Sequence, residues 1–412
     1  MKVSILTLGC KVNQAESAAI EGTLRNSGFS IVSLSENPDY CVVNTCTVTS
    51  KSDYQSRQLI RRAVRTGAKV LVTGCYSQLR PDEIKKIDRV HSVVNNEDKF
   101  DIINIISSQI KSNCCSFSAR SRPYVKVQDG CNNACTYCIV PKARGKSRSM
   151  DAQSIIEQVS NFSSVGYHEV VLTGIHLGTY GYDLKPNKKL SYLVKSILKK
   201  TQISRIRLSS LEVHEIDEEM IELFQESRLC RHIHVPLQSG DDAILRRMKR
   251  SYSSRDYIDI MSIILEKLPN IAIGTDVIVG FPGEGPAEFL NTKGILESLP
   301  FSNIHIFPFS ARPGTPASLM PIQVGSADKR ERFRELNALN LMKKAVYMSE
   351  QTDRILDIII EERLDDYSMV GTSGNYLKVR VNSNSYARKS LISVRVEGIE
   401  ENRLIGTPIE LI

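Results

Sequence analysis

The chain has 412 residues, of which 41% are hydrophobic and 24% are charged, and its formal net charge is +8. This length favours two or three domains with buried cores, and no stretch approaches the roughly 18 uninterrupted apolar residues of a membrane span. We therefore expect a cytoplasmic protein without a membrane segment. In that compartment the ten cysteines favour metal or cluster ligation over disulfides.

Residues 1–112 alternate between short apolar runs and helical patterns, which predicts an open parallel α/β sheet covered by helices. The predicted strands are Val3–Leu8, Tyr40–Asn44 and Val70–Thr73. The predicted helices are Asn13–Asn26, Thr49–Thr66 and Asp82–Lys86. The spacing of Asn13 and Glu16 predicts a capping box at the start of the first helix. No glycine-rich phosphate loop is present, so a dinucleotide site is not expected.

Three cysteines stand just beyond these strands: Cys10, Cys46 and Cys75. The C-terminal ends of parallel strands gather along one edge of a sheet, where ligands bind, so we expect these thiols to converge. The alternative is three buried thiols without a ligand, because free cysteine is among the most buried residue types. Cys41 lies inside a predicted strand and is expected in the core.

A Ser- and Arg-rich linker at residues 113–123, with the adjacent Cys114 and Cys115, leads to the segment Cys131-Asn-Asn-Ala-Cys135-Thr-Tyr-Cys138. This segment offers three thiols and no local fourth ligand, whereas a structural zinc site takes four ligands. A [4Fe–4S] cluster also normally takes four thiolates. A cluster held by three thiolates keeps one iron open to a small molecule.

The same region is strongly basic. Between Arg120 and Met150 there are seven basic residues and a single acid, Asp129. Such a run around a cysteine loop can offset the negative charge of a cluster and attract phosphates. Arg144 and Arg148 are therefore candidates for contact with a polyanionic substrate.

From residue 124 to residue 348, six repeats of strand and helix predict a partial (β/α)6 barrel with its chemistry at the strand C-termini. The predicted strands are Tyr124–Gln128, Glu169–Thr173, Arg205–Ser209, His232–Pro236, Ile271–Val279 and Ser302–Phe307. Predicted helices include Ala152–Val165, with Asp151 as its cap, Tyr257–Leu268 and the trailing Ala327–Met348. Small and polar residues follow the strands, as a site for a polar cofactor requires.

The tail, residues 349–412, shows five short strand patterns that predict a small β-barrel. These patterns are Ile355–Ile360, Tyr367–Thr372, Leu377–Val381, Leu391–Glu397 and Arg403–Glu410. The tail has 11 acids and eight bases, but the basic residues Lys378, Arg380, Arg388 and Lys389 cluster. Taken alone, the pattern fits either an RNA-binding module or a structural cap.

Several motifs resemble the radical S-adenosylmethionine (SAM) methylthiotransferase family. The central motif runs from Asp129 through the three cysteines to Pro141, with Tyr137 before the third cysteine, and continues with Arg144-Gly145 and Arg148-Ser149. The N-terminal motifs are Leu8-Gly9-Cys10-Lys11-Val12-Asn13, Asn44-Thr45-Cys46 and Gly74-Cys75. The tail resembles a TRAM domain, an RNA-binding module, so the resemblance covers nearly the whole chain.

The resemblance implies two [4Fe–4S] clusters, one on Cys10, Cys46 and Cys75 and one on Cys131, Cys135 and Cys138. The second cluster would bind SAM through its open iron and reduce its sulfonium, which releases a 5′-deoxyadenosyl radical, while the first would carry or supply sulfur. The residues implied around SAM are Tyr137, Gly174, His176, Ser210, Glu212, Gln238 and Gly280. Thr-Gly-Ile-His at 173–176 stands where the family has a Gly-Gly-Glu motif.

The motif at Leu8–Asn13 further resembles the branch of the family that acts on N6-threonylcarbamoyladenosine at position 37, in the anticodon stem-loop of tRNA. This implies tRNA as a partner, an electron donor of the flavodoxin or ferredoxin type, and a sulfur donor. Alternatives within the family are the isopentenylated adenosine and an aspartate of a ribosomal protein. Two other classes stay open, a two-cluster redox protein and a zinc-stabilised RNA-binding protein.

Overall fold

The computed structural model of the protein describes residues 1–106 and 118–409. These residues form an N-terminal α/β domain, a central partial barrel and a C-terminal closed β-barrel, which confirms the predicted fold class. Cys114 and Cys115 lie outside the described residues. Among the helices of the two described ranges, none is both long and apolar enough to cross a membrane.

The N-terminal domain is a five-stranded parallel sheet with helices on both faces. Its strands are β1 (Lys2–Thr7), β2 (Ser30–Ile31), β3 (Tyr40–Thr45), β4 (Lys69–Gly74) and β5 (Val90–Val93). Its helices are α1 (Lys11–Asn26), α2 (Ser50–Val64), α3 (Cys75–Leu79), α4 (Pro81–Lys85) and α5 (Asp101–Ile106). The strand order is β2-β1-β3-β4-β5. The three predicted strands are the central ones, and the edge strands β2 and β5 were missed because each is short and half polar.

Helix α1 begins at Lys11, before the predicted start, and Asn13 does not cap it. Asn13 Nδ2 instead donates to Leu8 O at 2.8 Å and to Thr45 O at 3.0 Å. The predicted capping box is therefore wrong, because Asn13 lies inside the first turn of the helix and its Oδ1 accepts from Arg144 Nη2 at 2.5 Å. Asp151, in contrast, accepts a hydrogen bond from Ser154 N at 2.9 Å and caps its helix as predicted.

The central domain is a six-stranded parallel arc, with a short antiparallel pair beside its first strand. The strands of the arc are β6 (Tyr124–Lys126), β9 (Glu169–Thr173), β10 (Arg205–Leu208), β11 (His232–His234), β12 (Ala272–Val279) and β13 (Asn303–Pro308). The antiparallel pair is β7 (Gln128–Asp129) and β8 (Arg148–Ser149). A bridge between Ile206 and Leu229 joins the two three-stranded halves of the arc, so the predicted partial barrel is confirmed.

Helices follow the strands of the arc and cover its outer face, where one large hydrophobic cluster forms the core. These helices are α6 (Val140–Arg144), α7 (Ala152–Ser164), α8 (Leu190–Lys200), α9 (Glu218–Leu223), α10 (Asp242–Met248), α11 (Ser254–Lys267), α12 (Pro286–Ser298) and α13 (Ser326–Ser349). Single 3-10 turns are at Leu34–Glu36, Leu177–Thr179, Val213–Glu215 and Pro316–Leu319. The inner face of the arc is polar instead, because side chains alternate along each strand.

The tail is a closed five-stranded barrel in the order β14-β15-β16-β18-β17. Its strands are β14 (Ile355–Arg363), β15 (Met369–Ser373), β16 (Lys378–Val381), β17 (Leu391–Glu400) and β18 (Arg403–Pro408). This barrel docks on the N-terminal ends of β9 and β10. Arg205 donates to Asp357 O and Thr372 O, and Arg207 donates to Ser373 O at 2.9 Å.

Candidate active site

The first cysteine triad, Cys10, Cys46 and Cys75, lies at the C-terminal ends of the adjacent strands β1, β3 and β4. The strand order places the switch point of the sheet between β1 and β3, where open α/β sheets bind ligands. Glycines precede two of the thiols in the left-handed region, Gly9 at φ 118° and Gly74 at φ 104°. A Cβ on Gly9 would lie 3.0 Å from Cys46 Cβ, so the loops of Cys10 and Cys46 are in contact.

Polar side chains fasten these strand ends to one another. Asn13 bridges the carbonyls of Leu8 and Thr45, which end two different strands. Ser56 Oγ donates to Cys46 O at 2.8 Å and accepts from Cys46 N at 3.2 Å. The first triad is thus held by satisfied polar groups that do not depend on a ligand.

The second triad, Cys131, Cys135 and Cys138, lies in the segment between β7 and β8. Cys138 N donates to Cys135 O at 3.1 Å, and Asn133 N donates to Cys131 Sγ at 3.4 Å. Cys131 N in turn donates to Gly145 O at 3.1 Å, which closes the base of the loop. The three thiols therefore converge on one side of a tight loop, and Cys138 interacts electrostatically with the other two.

A histidine contacts the first thiol of this loop. His176 Nδ1 lies 3.6 Å from Cys131 Sγ, and His176 Nε2 lies 2.6 Å from Glu215 Oε1. Burial opposes a positive charge on His176, but the contacts with Cys131 and Glu215 outweigh it and raise the pKa of His176 to about 9. A protonated His176 would donate to a thiolate sulfur at this position.

An arginine contacts the second thiol. Arg250 Nη1 donates to Cys135 Sγ at 3.4 Å, and its Nη2 is paired with the Glu212 carboxylate. The guanidinium also lies over the ring of Tyr252, 5.0 Å from its centroid. Glu212, which the family resemblance placed at SAM, therefore contacts the cysteine loop through Arg250.

Both triads fit iron–sulfur clusters. Each supplies three thiols and, within the described ranges, no fourth cysteine lies beside either one, because Cys41 and Cys230 are buried elsewhere. Cationic donors aimed at Cys131 and Cys135 suit a cluster that carries net negative charge. Cys41 behaves as a core thiol, since burial raises its pKa to about 12 against a weaker hydrogen bond with Ser4.

Arg144 is not at the surface, so its predicted contact with RNA is wrong. Its side chain is 1% exposed, and Nη1 donates to Glu16 Oε1 at 3.0 Å and to Asp129 Oδ1 at 2.8 Å. The guanidinium also interacts electrostatically with Cys10 and Cys75. It lies between the two triads as a buried charge, because the carboxylates that neutralise it come from both domains.

A cavity of about 260 Å³ opens beside the second triad. It is lined by Cys138 and Tyr137 from the loop, Gln238 after β11, Asp276 on β12, and Thr49 from the N-terminal domain. Tyr137 packs edge-on against Phe281 with ring centroids 6.4 Å apart. Two of the predicted SAM residues, Tyr137 and Gln238, thus share one cavity with a thiol of the loop.

The other predicted SAM residues occupy different environments. A Cβ on Gly174 would lie 2.8 Å from Gln128 Oε1, so the glycine permits the buried Gln128 to pack beside it. Ser210 is exposed at the end of β10. Gly280 has φ 72°, and a Cβ there would lie 2.3 Å from Cγ of Lys329. These glycines are explained by protein packing, so their predicted contact with SAM stays a prediction.

Polar residues from three neighbouring strands meet inside the arc. Asp276 Oδ1 lies 2.9 Å from His234 Nε2 and 3.0 Å from His305 Nδ1. Burial favours the neutral acid, but the hydrogen bonds with both histidines outweigh it and hold the pKa of Asp276 well below its usual range. The inner face of the arc therefore presents a charged carboxylate to the cavity.

The remaining candidates for RNA contact have partners within the protein. Lys378 is paired with Glu361, and Arg380 lies 3.3 Å from Glu400 Oε2. Arg388 donates to Ala119 O at 2.6 Å, and Lys389 lies 3.8 Å from the Tyr167 ring centroid. Arg148 is half exposed, with Glu97 3.7 Å away.

Several residues at the site were missed by the sequence analysis. Arg250 is 115 positions from the cysteine that it contacts, and Glu16, the missed partner of Arg144, is 128 positions from that arginine. No local pattern marks such a pair. Lys11 and Tyr376, which approach each other inside the arc, come from opposite ends of the chain. Lys11 stands directly beside Cys10, which is the signal that could have drawn attention to it.

Family models match the two domains that carry the triads. The description "Radical SAM superfamily" applies to residues 125–294, and "Uncharacterized protein family UPF0004" applies to residues 2–95. Among solved structures, the fold is similar to that of the radical S-adenosylmethionine methyltransferase TsrM from Kitasatospora setae, with a TM-score of 0.57 at 14% identity over 77% of each chain.

Curated relatives match nearly the whole chain. The threonylcarbamoyladenosine tRNA methylthiotransferase MtaB of Bacillus subtilis is 38% identical over 92% of this chain and 89% of its own length. The protein of the same name from Aquifex aeolicus is 37% identical over 88% of this chain and 93% of its own length. With both cysteine triads in place and this identity over this length, the chain belongs to the radical SAM methylthiotransferases.

Proposed function

We propose that this protein converts N6-threonylcarbamoyladenosine at position 37 of tRNA to its 2-methylthio derivative. The names of the two relatives, which specify threonylcarbamoyladenosine in tRNA, support this substrate. The observation that carries the proposal is the cavity of about 260 Å³, which is lined by Cys138 of the second triad and by Val48 and Thr49, just after Cys46 of the first. One base in this cavity would lie between the two cysteine triads.

Two [4Fe–4S] clusters and SAM are the cofactors of this family. We propose that Cys10, Cys46 and Cys75 hold one cluster and that Cys131, Cys135 and Cys138 hold the other. When bound, these groups supply the electron, the reductive cleavage of SAM and the sulfur that the reaction needs.

The protein side chains would prepare this site in three ways. Arg250 donates to Cys135 Sγ, and a protonated His176 would donate to Cys131 Sγ, so both would offset the negative charge of a cluster there. Tyr137 and Gln238 line the cavity and would orient the cofactor. The packing of the N-terminal domain against the arc, through Thr49, would limit the access of water to the reacting groups.

We propose that RNA is bound by exposed cations on β8, which follows the second triad, and on the tail. Arg148, Lys378 and Arg380 keep between a third and a half of their side chains exposed, so each could exchange its protein carboxylate for a phosphate. An electron donor of the flavodoxin or ferredoxin type and a sulfur donor complete the proposed partners. Because the substrate is tRNA, we propose a cytoplasmic location.

The test is product analysis with anaerobically reconstituted protein, SAM and a reductant. Two tRNAs are compared, one carrying threonylcarbamoyladenosine and one carrying isopentenyladenosine at position 37, and nucleosides are identified by mass spectrometry. We expect the methylthio mass only on the first. The product on the second tRNA alone would contradict the proposed substrate.

Iron content separates the two triads. We expect about eight irons in the wild type and about four in Cys46→Ala or in Cys138→Ala, because each variant would lose one cluster. Cys230→Ala is the matched control, since this buried thiol lies away from both triads and should leave about eight irons. Bound zinc instead of iron would favour the zinc-stabilised RNA-binding alternative.

A further inference from the structure

Tyr376, at the tip of the turn between β15 and β16, reaches into the central arc. Its φ of 71° is in the left-handed region, and 40% of the residue is exposed to the space inside the arc. Three cations surround its ring: Arg207 at 4.7 Å from the centroid, Arg122 at 5.5 Å and Lys11 at 5.8 Å. The N-terminal domain, the linker, the central domain and the tail therefore each contribute one of these four residues. We call the positively charged space around Tyr376 the chamber.

Two of these three cations are neutralised by the protein. Arg207 Nε donates to Glu169 Oε1 at 2.9 Å. Arg122 Nη1 lies 3.4 Å from Glu169 Oε1, and its Nη2 lies 2.8 Å from Glu361 Oε1. Both arginines are thus held in ion pairs, so neither is free to bind a further anion.

Lys11 is different. Within the described residues its ammonium group forms no ion pair and no side-chain hydrogen bond, although the residue is half buried. Asp276 interacts with it electrostatically, but the Oδ1 of this carboxylate already takes both His234 and His305. A half-buried cation without a neutralising partner has an energetic cost, which an anion from outside the protein would relieve.

The place of Lys11 indicates which part of a substrate it would meet. It is the first residue of α1 and the direct neighbour of Cys10, so the positive end of the helix adds to its charge. Asp276, which interacts with Lys11, also lines the cavity beside Cys138. Asp276 therefore lies between the chamber and the cavity beside the second triad. The hydroxyl of Tyr376 makes no hydrogen bond to a described residue, and the residue is partly exposed.

We propose that Lys11 and Tyr376 form a subsite for a carboxylate. The identity of this carboxylate rests on the proposed function: it is the carboxylate of the threonyl group on N6 of the adenine. Lys11 would form a charge-assisted hydrogen bond with it, and the Tyr376 hydroxyl would donate a second one. Because N6 and C2 are both on the Watson–Crick edge of adenine, anchoring the N6 substituent fixes where the reacting C2 carbon points.

The test measures binding with three anticodon stem-loops: one with threonylcarbamoyladenosine, one whose threonyl carboxylate is a primary amide, and one with unmodified adenosine. Affinities are measured by fluorescence anisotropy without SAM or reductant. We expect Lys11→Gln to weaken binding of the carboxylate form by about tenfold or more, and to leave the amide form within about twofold. Tyr376→Phe should show a smaller loss with the same selectivity, and Lys11→Arg should restore part of the affinity.

Lys200→Gln is the matched control, because Lys200 is an exposed cation in the last turn of α8, on the outer face of the arc. It should leave all three affinities unchanged. Iron content is measured in parallel, since Lys11 adjoins Cys10, and Tyr376→Phe tests the subsite from a domain without cluster ligands. Equal losses on the carboxylate and amide stem-loops, or no loss on either, would overturn the subsite.

The same experiment keeps the two proposals apart. If the wild type does not methylthiolate the threonylcarbamoyl stem-loop in a parallel assay, the proposed function fails. If the wild type does so and Lys11→Gln shows no carboxylate-specific loss in affinity, the proposed function stands and the subsite fails.

Discussion

Arg144 and Glu16 form a buried two-point ion pair that joins the two cysteine-bearing domains, with Nη1–Oε1 at 3.0 Å and Nη2–Oε2 at 3.1 Å. Lys126 and Lys99 contact the same carboxylate, which is 3% exposed. One carboxylate in helix α1 therefore neutralises three cations, two of which belong to the central domain. The relative position of the two triads depends on this junction.

We expect Glu16→Gln to destabilise the protein strongly. The substitution leaves three cations without their shared carboxylate, and breaking a buried pair from one side costs about 3–5 kcal/mol of unfolding free energy. Urea denaturation followed by circular dichroism measures the loss. Glu218→Gln is the control, because its pair with Lys267 is exposed to solvent and should contribute little to stability. Equal stability of the two variants would contradict a structural role for the junction.

The stability of the fold should depend on pH through the carboxyl group of Glu169, which lies inside the arc. Burial raises the pKa of this carboxyl, but Arg207, Arg205 and Arg122 outweigh it and hold the pKa well below its ordinary value of 4.5. A group with a depressed folded pKa stabilises the protein above the unfolded pKa, and that contribution is lost as the pH falls toward the folded pKa.

The wild type should therefore be more stable than Glu169→Gln at pH 7, and the difference should narrow once the pH falls below about 4.5. Thermal unfolding of the cluster-free proteins between pH 3 and pH 7 provides the measurement. A difference in melting temperature that stays constant across this range would show that the charge of Glu169 is not what stabilises the arc.

His176→Ala should weaken retention of iron by the second triad. His176 contacts Cys131 Sγ and is oriented by Glu215, and removing such a partner of a metal ligand typically costs about 10–100-fold in affinity or activity. Iron release to a chelator is the measurement. His168→Ala is the control, since His168 lies just before β9 whereas His176 lies just after it, so the two histidines are at opposite ends of this strand. Identical release from both variants would leave His176 without a role at the triad.

Gly74→Ala should lower the iron content by about half, because the first triad would not close. Gly74 has φ 104°, and a Cβ there would lie 2.3 Å from Thr45 O, so the loop of Cys75 must move. Gly67→Ala is the control that distinguishes backbone strain from steric overlap of the added Cβ. Gly67 has φ 81° but nothing within 4 Å of the added atom, so only a loss of about 1–2 kcal/mol in stability is expected, with full iron content.

The fold was largely predictable because its signals are local. Strand-length apolar runs that end at Cys10, Cys46 and Cys75 mark the parallel sheet, and the CxxxCxxC spacing marks the second triad. The environment of the thiols was not predictable, because it depends on contacts across domains. Arg144 has the sequence context of a surface base, and only the folded position of Glu16 buries it. The side-chain oxygen of Asn13 likewise accepts from Arg144, 131 positions away, and does not cap the helix.

The docking of the tail has a practical consequence for experiments that dissect the protein. Arg205 and Arg207 donate to carbonyl oxygens of Asp357, Thr372, Ser373 and Gly374. Carbonyl groups of the C-terminal barrel therefore replace water as hydrogen-bond acceptors for these two arginines. A chain truncated after Ser349 would lose these acceptors and would open the ion pairs of Arg205 and Arg207 with Glu169 to water. The tail is therefore a structural part of the central domain's polar core. The proposed contribution of the tail to RNA affinity is therefore best measured with point substitutions at Lys378 and Arg380, since deletion would also damage the arc.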